Sequence, residues 1–233
     1  MAACFSALDT YTQRFYTELI QIVMYNLQYM RCYMDQEKVL LNLKKNGYHA
    51  LWFETGAEAA EYLYGELQGT SIGFGGSVTS KQLGLYEKLG EKNEVYWHWN
   101  AGNSMDEQKR AAAAEVYILS ANALSENGEI VNIDGNGNRL AAQFFGHKRV
   151  IFVIGVNKIT PDLASAIDRA RNIASPLNAR RLKRNTPCAL SEPMRCHDCS
   201  SPDRICSGMS VLFNRMWSTE QMDVLLINEK LGF

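Results

Sequence analysis

Two short apolar runs, Val116-Tyr-Ile-Leu119 and Val150-Ile-Phe-Val-Ile154, set the strongest limit on how this chain folds. Both read as strands, and the second is apolar at every position, the pattern of a strand with cover on both faces. Between them lies Ser125-Glu-Asn-Gly-Glu-Ile-Val-Asn-Ile-Asp-Gly-Asn-Gly-Asn-Arg139, dense in glycine, asparagine and charge, then a helix-like run from Leu140 to Phe145. Such residues tolerate left-handed backbone and hydrogen-bond locally. A polar, glycine-rich turn between buried strands is where α/β proteins usually hold ligands.

The same alternation extends along the chain. Strands are predicted over Tyr48–Phe53, Thr70–Phe74, Glu94–Trp99, Val116–Ser120 and Val150–Ile154, with closing strands at Met209–Phe213 and Val224–Ile227 and a short added strand at Glu129–Ile133. Helices are predicted over Ala57–Leu67, Ser80–Leu89, Met105–Ala114 and Asp162–Ile173. Strands alternating with helices imply an α/β fold: a mainly parallel sheet with helices on both faces. Leu8 to Asn46 contains neither proline nor glycine and reads as one long helix or two joined near Asp35, ended by Asn46-Gly47. Residues 1–34 are therefore expected to be a helical N-terminal extension and 35–233 the main domain. The tyrosines of the extension suit core packing or a subunit contact, so a homo-oligomer through this helix is one expectation.

At 233 residues, 46% of them hydrophobic and 21% charged, the chain fits one globular domain with a sizeable core. A net charge of −1 leaves no global footprint for nucleic acid. The local basic run Arg180-Arg-Leu-Lys-Arg184 reads as a solvated helix end. No apolar run approaches the ~20 residues of a membrane span, and the first residues lack the features of a secretory signal. A cytoplasmic location is expected. The six cysteines then read as thiols or metal ligands in preference to disulfides.

Several motifs, taken together and in order, resemble the LUD-domain family, of the lactate-utilisation protein C type. They are Asn127–Arg139, Gly75-Gly-Ser77 with Thr79, Gly155-Val-Asn-Lys158, Ala174-Ser-Pro-Leu-Asn178, the cysteine-bearing tail from Thr186 to Cys206, and Glu229-Lys-Leu-Gly-Phe233. The resemblance runs from about residue 35 onward. It implies the fold shared by ribose-5-phosphate isomerase, its sugar-phosphate relatives and the CoA transferases. It also implies a component of the system that oxidises L-lactate to pyruvate, working with other lactate-utilisation proteins.

Four constellations carry candidate chemistry. Gly75-Gly-Ser77 follows a strand and precedes a helix, with Thr79 placed to cap it and Lys81 nearby. The pair Gly75 and Gly76 reads as an anion-binding turn or as a tight turn without a ligand. The second is Asp134-Gly-Asn-Gly-Asn138 with Arg139. It lacks the ending of a Walker A loop and the closing glutamate of an EF-hand. Asn132, Asp134, Gly135, Asn138 and Arg139 are candidate contacts to a carboxylate or phosphate, or form a turn in which Arg139 pairs with Asp134. Gly155-Val-Asn-Lys158 ends a strand, so Asn157 and Lys158 face the same ligand edge or the surface. Within Ser125-Glu-Asn-Gly128, Glu126 matches the short glutamate motif of some CoA transferases; it is a candidate nucleophile for acyl or phospho-sugar chemistry, a ligand contact or a loop cap.

The tail spaces Cys188, Cys196, Cys199 and Cys206 as C-x7-C-x2-C-x6-C. Three readings stand: a zinc or iron–sulfur site, with His197 a substitute ligand, a reversible thiol or disulfide function, and unliganded thiols. No other cofactor is indicated. His98, in Tyr96-Trp-His-Trp99, reads as a core or cleft residue.

Overall fold

The computed structural model describes residues 36–233. The expected extension over 1–34, and the subunit contact expected of it, lie outside the described residues. The first helix, α1 (36–45), buries Val39 and Leu43 on one face and ends at Gly47, whose φ of +80° is the left-handed conformation that favours glycine.

Six strands form one wholly parallel sheet: β1 (His49–Phe53), β2 (Ser71–Phe74), β3 (Glu94–Tyr96), β4 (Val116–Leu119), β7 (Arg149–Gly155) and β10 (Gln221–Ile227). Their order is β1-β10-β7-β4-β2-β3. Successive side chains of a strand point to opposite faces. In β7, Val150, Phe152 and Ile154 enter one hydrophobic cluster while Ile151 and Val153 enter another. β10 divides the same way, with Val224 and Leu226 against Leu225 and Ile227. Neither face of these strands is left to solvent, which explains their unbroken apolar sequence. α2 (Gly56–Glu66) and α4 (Leu85–Gly90) supply one cluster; α1, α6 (Asn138–Phe144) and part of a second sheet supply the other.

The second sheet has four strands in the order β8-β5-β6-β9: β5 (Ala123–Ser125), β6 (Ile130–Asp134), β8 (Ile159–Thr160) and β9 (Gly208–Leu212). The strand expected near Glu129–Ile133 belongs here as β6, antiparallel to β5 and β9. β5 and β8, three and two residues long, are too short to leave a legible period. The single helix expected over Ser80–Leu89 is two, α3 (Val78–Gln82) and α4, separated at Gly84 with φ +60°.

The helix expected over Asp162–Ile173 runs on to Arg181. Asp162 caps α7 (Leu163–Arg169), a π-helical turn follows over Ala170–Ala174, and α8 (Ser175–Arg181) completes it. Pro176 lacks a backbone donor. The widened turn just before it is where the ladder absorbs that loss, and the Ser175 hydroxyl donates to the Ala170 carbonyl (2.8 Å).

α5 (Met105–Ala113) packs backbone to backbone on β2. A Cβ at Gly73 would stand 2.2 Å from the Ala111 carbonyl oxygen. Gly73→Ala is therefore expected to destabilise the fold by about 1–3 kcal/mol. The readout is a lower urea midpoint with an unchanged slope; an unshifted midpoint would mean that α5 gives way freely.

Candidate functional site

The strand order reverses beside β4. From β2 the chain moves outward to β3; from β4 it moves the other way, to β7 and β10. Loops leaving the carboxyl ends of β2 and β4 thus diverge and leave a crevice between them, the usual ligand position in open α/β sheets. A cleft of about 350 Å³ lies there. Its wall includes Gly76, Ser77 and Thr79 after β2, His98 and Trp99 after β3, and Ser120–Asn122 after β4. Asp134–Asn136, Asn138 and Arg139 enter from the end of β6, Lys158 from the end of β7, and Ala174, Ser175, Asn178 and Arg181 from the helix with the π turn.

The electrostatics are lopsided. Among the described residues, Arg139, Lys158, Arg181 and Arg184 line the cleft against one side-chain carboxylate, Asp134. Asp134 is already engaged. Its Oδ1 accepts from the Gly135 N–H (2.8 Å), its Oδ2 accepts from the Arg139 N–H (3.0 Å), and the Arg139 side chain pairs with it at 3.6 Å. The Arg139 guanidinium also donates to the Ile133 carbonyl. Arg181 has no carboxylate partner among the described residues. It donates to Asn178 Oδ1 from Nε (3.0 Å) and Nη2 (2.8 Å) and lies 4.7 Å over the Trp99 ring, which stacks on Trp97. Burial, and then the nearby Arg139 charge, lower the pKa of Arg181.

Lys158 is buried in this wall, 3% exposed. Its Nζ donates to Ser120 Oγ (2.9 Å) and Thr79 Oγ1 (3.1 Å). Burial first, then the charges of Arg169 and Arg139, hold its amine down at about 7. His98 is 7% exposed, and its Nδ1 has no hydrogen-bond partner within the described residues. Burial, opposed by Asp134 and aided by Arg139, lowers its pKa.

Gly76, Ser77, Thr79, Asp134, Gly135, Asn138, Arg139 and Lys158 thus meet at one cleft. Details differ from the sequence expectation. Ser77, not Thr79, caps α3, accepting from the Ser80 N–H (3.0 Å); Thr79 sits in the first turn and faces Lys158. Gly75 is no anion donor, since its N–H donates to the Ile118 carbonyl (3.0 Å). Space favours glycine at 75 and is tight at 76. A Cβ there would stand 2.8 Å from Arg139 Cγ and 3.2 Å from the Trp99 indole nitrogen, respectively. Lys81 is exposed and not part of the wall.

Three further candidates hold the structure together away from the wall. Asn132 is fully buried, donating to Gln143 and accepting from the Asn122 N–H (3.1 Å). Asn157 accepts from the Leu231 N–H (3.0 Å) through Oδ1 and from Arg169 (3.1 Å) through its carbonyl. Glu126 lies at the far end of the β5–β6 hairpin, five residues of β6 away from the cleft loop, or roughly 17 Å at ~3.3 Å per residue. The Glu126 N–H donates to the Thr160 carbonyl (2.8 Å) and its carbonyl accepts from Asn42 of α1 (2.8 Å). This turn is where α1 docks, and Glu126 is not on the cleft wall.

The four tail cysteines are not gathered into one cluster in this structure. Among the described residues no three His, Cys, Asp or Glu side chains group to hold an ion. Cys188, Cys196, Cys199 and Cys206 are half-buried free thiols. Cys196 faces Arg171 (3.7 Å), Cys206 faces Arg204 (3.2 Å) and Cys188 meets the Thr186 hydroxyl (3.3 Å), so their sulfurs are directed to separate partners. The tail instead closes over the cleft loop. The Ser207 N–H donates to the Asp134 carbonyl (2.9 Å), Ile205 joins the wall, and a Cβ at Gly135 would stand 2.9 Å from the Ile205 carbonyl.

Arg181 was not expected as a site residue, and His98, read as a core or cleft residue, lies on the cleft wall. The signal for Arg181 is the helical spacing Ala174, Ser175, Asn178, Arg181, which puts one face of the π-turn helix on the cleft.

Fold and site together define an α/β protein with a cationic cleft at the switch point of a parallel sheet. Residues 36–227 match the LUD domain, and the chain belongs to the LUD-domain family. Among solved structures, a DUF162 family protein from Deinococcus radiodurans is similar at 12% identity and a TM-score of 0.48, with 84% of this chain and 97% of that chain covered. No curated protein matches the chain. Among the described residues, no helix is long and apolar enough to cross a membrane.

Proposed function

We propose that this LUD-domain protein is a component of L-lactate utilisation, in the oxidation of lactate to pyruvate, and that its cleft binds a small anion or the anionic end of a cofactor. The supporting observation is the charge balance of the cleft. Arg181 faces a 350 Å³ space without a carboxylate partner among the described residues, while Asp134, the acid side chain of the wall among them, is engaged by Arg139 and the Gly135 N–H. Cations held in a shielded site await an anion, because charge-assisted hydrogen bonds are the strong ones. The volume lies at the small end of ligand pockets and suits a short carboxylate or one phosphoryl group.

Calorimetric titration with L-lactate and pyruvate tests this reading. Arg181→Ala removes a charge-assisted contact of about 1.5–3 kcal/mol, a roughly 10- to 150-fold loss of affinity, while the melting temperature moves little. Glu126→Gln, away from the cleft, is expected to bind as the natural protein does. Unchanged affinity in Arg181→Ala, or a loss confined to Glu126→Gln, would overturn the reading. Arg139→Ala is a poorer probe, because it also strips Asp134 of its partner and lowers stability together with binding.

A further inference from the structure

We propose that Lys158 is a carbonyl-capturing amine, its Nζ forming a covalent imine with the carbonyl carbon of a small 2-oxo acid held in the cleft. The inference rests on the anion-binding reading above and goes beyond it, from attraction of charge to formation of a bond.

A lysine 3% exposed is normally paired with a carboxylate, because an isolated buried ammonium is costly. Among the described residues Lys158 has no such partner; its two hydrogen bonds go to the neutral hydroxyls of Thr79 and Ser120. A neutral amine has two N–H bonds. Donating one to each hydroxyl uses both and leaves the nitrogen lone pair uncommitted. The charged groups that act on it are the guanidiniums of Arg169 and Arg139, and both favour the neutral form. Lysines desolvated or placed beside another cation are the ones that serve as nucleophiles toward carbonyls.

The same wall supplies the other needs of the reaction. Arg181 attracts the carboxylate of the acid and turns its 2-oxo group toward the floor of the cleft. His98 stands on the same wall, 7% exposed, and is the imidazole placed to relay protons. The balance is simple. The lone pair forms the C–N bond as the carbonyl π bond breaks, and one amine proton passes to the oxygen, giving a carbinolamine. The remaining amine proton and the C–O bond are then lost as water, leaving C=N. No oxidant or reductant takes part.

The test is reductive trapping on the full chain, with pyruvate as the probe and cyanoborohydride as the trap, read by intact mass and peptide mapping. One adduct on Lys158 is expected, abolished in Lys158→Met and kept in Lys81→Met, which alters an exposed lysine outside the cleft. No adduct, or labelling spread over exposed lysines with Lys158 unmodified, would overturn the proposal. Should Lys158→Met not fold, the map of the natural protein decides alone. Parallel calorimetry with L-lactate, which has no carbonyl at that carbon, separates the two readings. If lactate binds while pyruvate leaves no adduct, the imine fails and the anion site stands; if neither acid binds, both fail.

Discussion

Asp223→Ala should cost about 3–5 kcal/mol of stability, enough to unfold a marginally stable domain. Asp223 is fully buried on β10 at the amino edge of the sheet. Its carboxylate accepts from Arg149 Nε (2.7 Å) and Nη2 (3.1 Å) on β7, and from Gln221 Nε2 (2.7 Å). His49 Nδ1 on β1 lies 2.8 Å away. Three neighbouring strands are joined through one group. Truncation leaves the Arg149 guanidinium, 16% exposed, with Glu66 at 3.6 Å as its remaining carboxylate among the described residues and Tyr62 beside it. Asp223→Asn keeps the shape and some of the hydrogen bonds and should cost less. Urea denaturation at neutral pH is the measurement, and a shift below about 1 kcal/mol, the range of a surface pair, would show that water reaches and replaces the network. The cleft lies at the opposite, carboxyl edge, so this loss should be one of folding and not of ligand affinity in the folded fraction.

Lys158 should impose a pH dependence on stability that Lys158→Met lacks. The folded amine is held at about 7, whereas in the unfolded chain it titrates near the ordinary value of about 10.4. Between these values the unfolded chain binds a proton that the native state does not. Stability from this group therefore rises as pH climbs from about 7 to about 10, by up to roughly 1.4 kcal/mol per pH unit, and is flat below. The charges acting on this amine are those of Arg169 and Arg139, and on the same cleft wall burial lowers the pKa of His98. The difference in stability between Lys158→Met and the natural protein is thus expected to be largest near pH 7 and to shrink toward pH 10. Parallel profiles would show that the native amine is hydrated and ordinary. Anion binding should have the opposite slope, tightening as pH falls and the amine takes up its proton.

Much of this architecture is legible from local pattern. β4, β7 and β10 announce themselves because both faces are covered, and the loops after β2, β6 and β7 are marked by glycine, asparagine and charge. What is not legible depends on direction. The signature from Asn127 to Arg139 is continuous in sequence, but β6 runs through its middle and carries Glu126 and Arg139 to opposite ends of a hairpin. Arg181 sits in a basic run that looks like a solvated helix end. It follows the π turn and lies on the cleft, while Arg180 pairs with Glu192 (2.8 Å). Cysteine spacing states how far apart four thiols lie along the chain, and not that two of them turn to arginines. The glycines at 75 and 76 read as amide donors because the side chains that need their space, Arg139 and Trp99, are distant in sequence.

The position of a bound acid tests the central claim most directly. In crystals of the protein soaked with L-lactate, the carboxylate is predicted beside the Arg181 guanidinium, with the 2-oxygen toward Lys158 and His98. Lactate bound instead at the Glu126 hairpin or among the tail thiols, with the cleft holding water alone, would contradict the account.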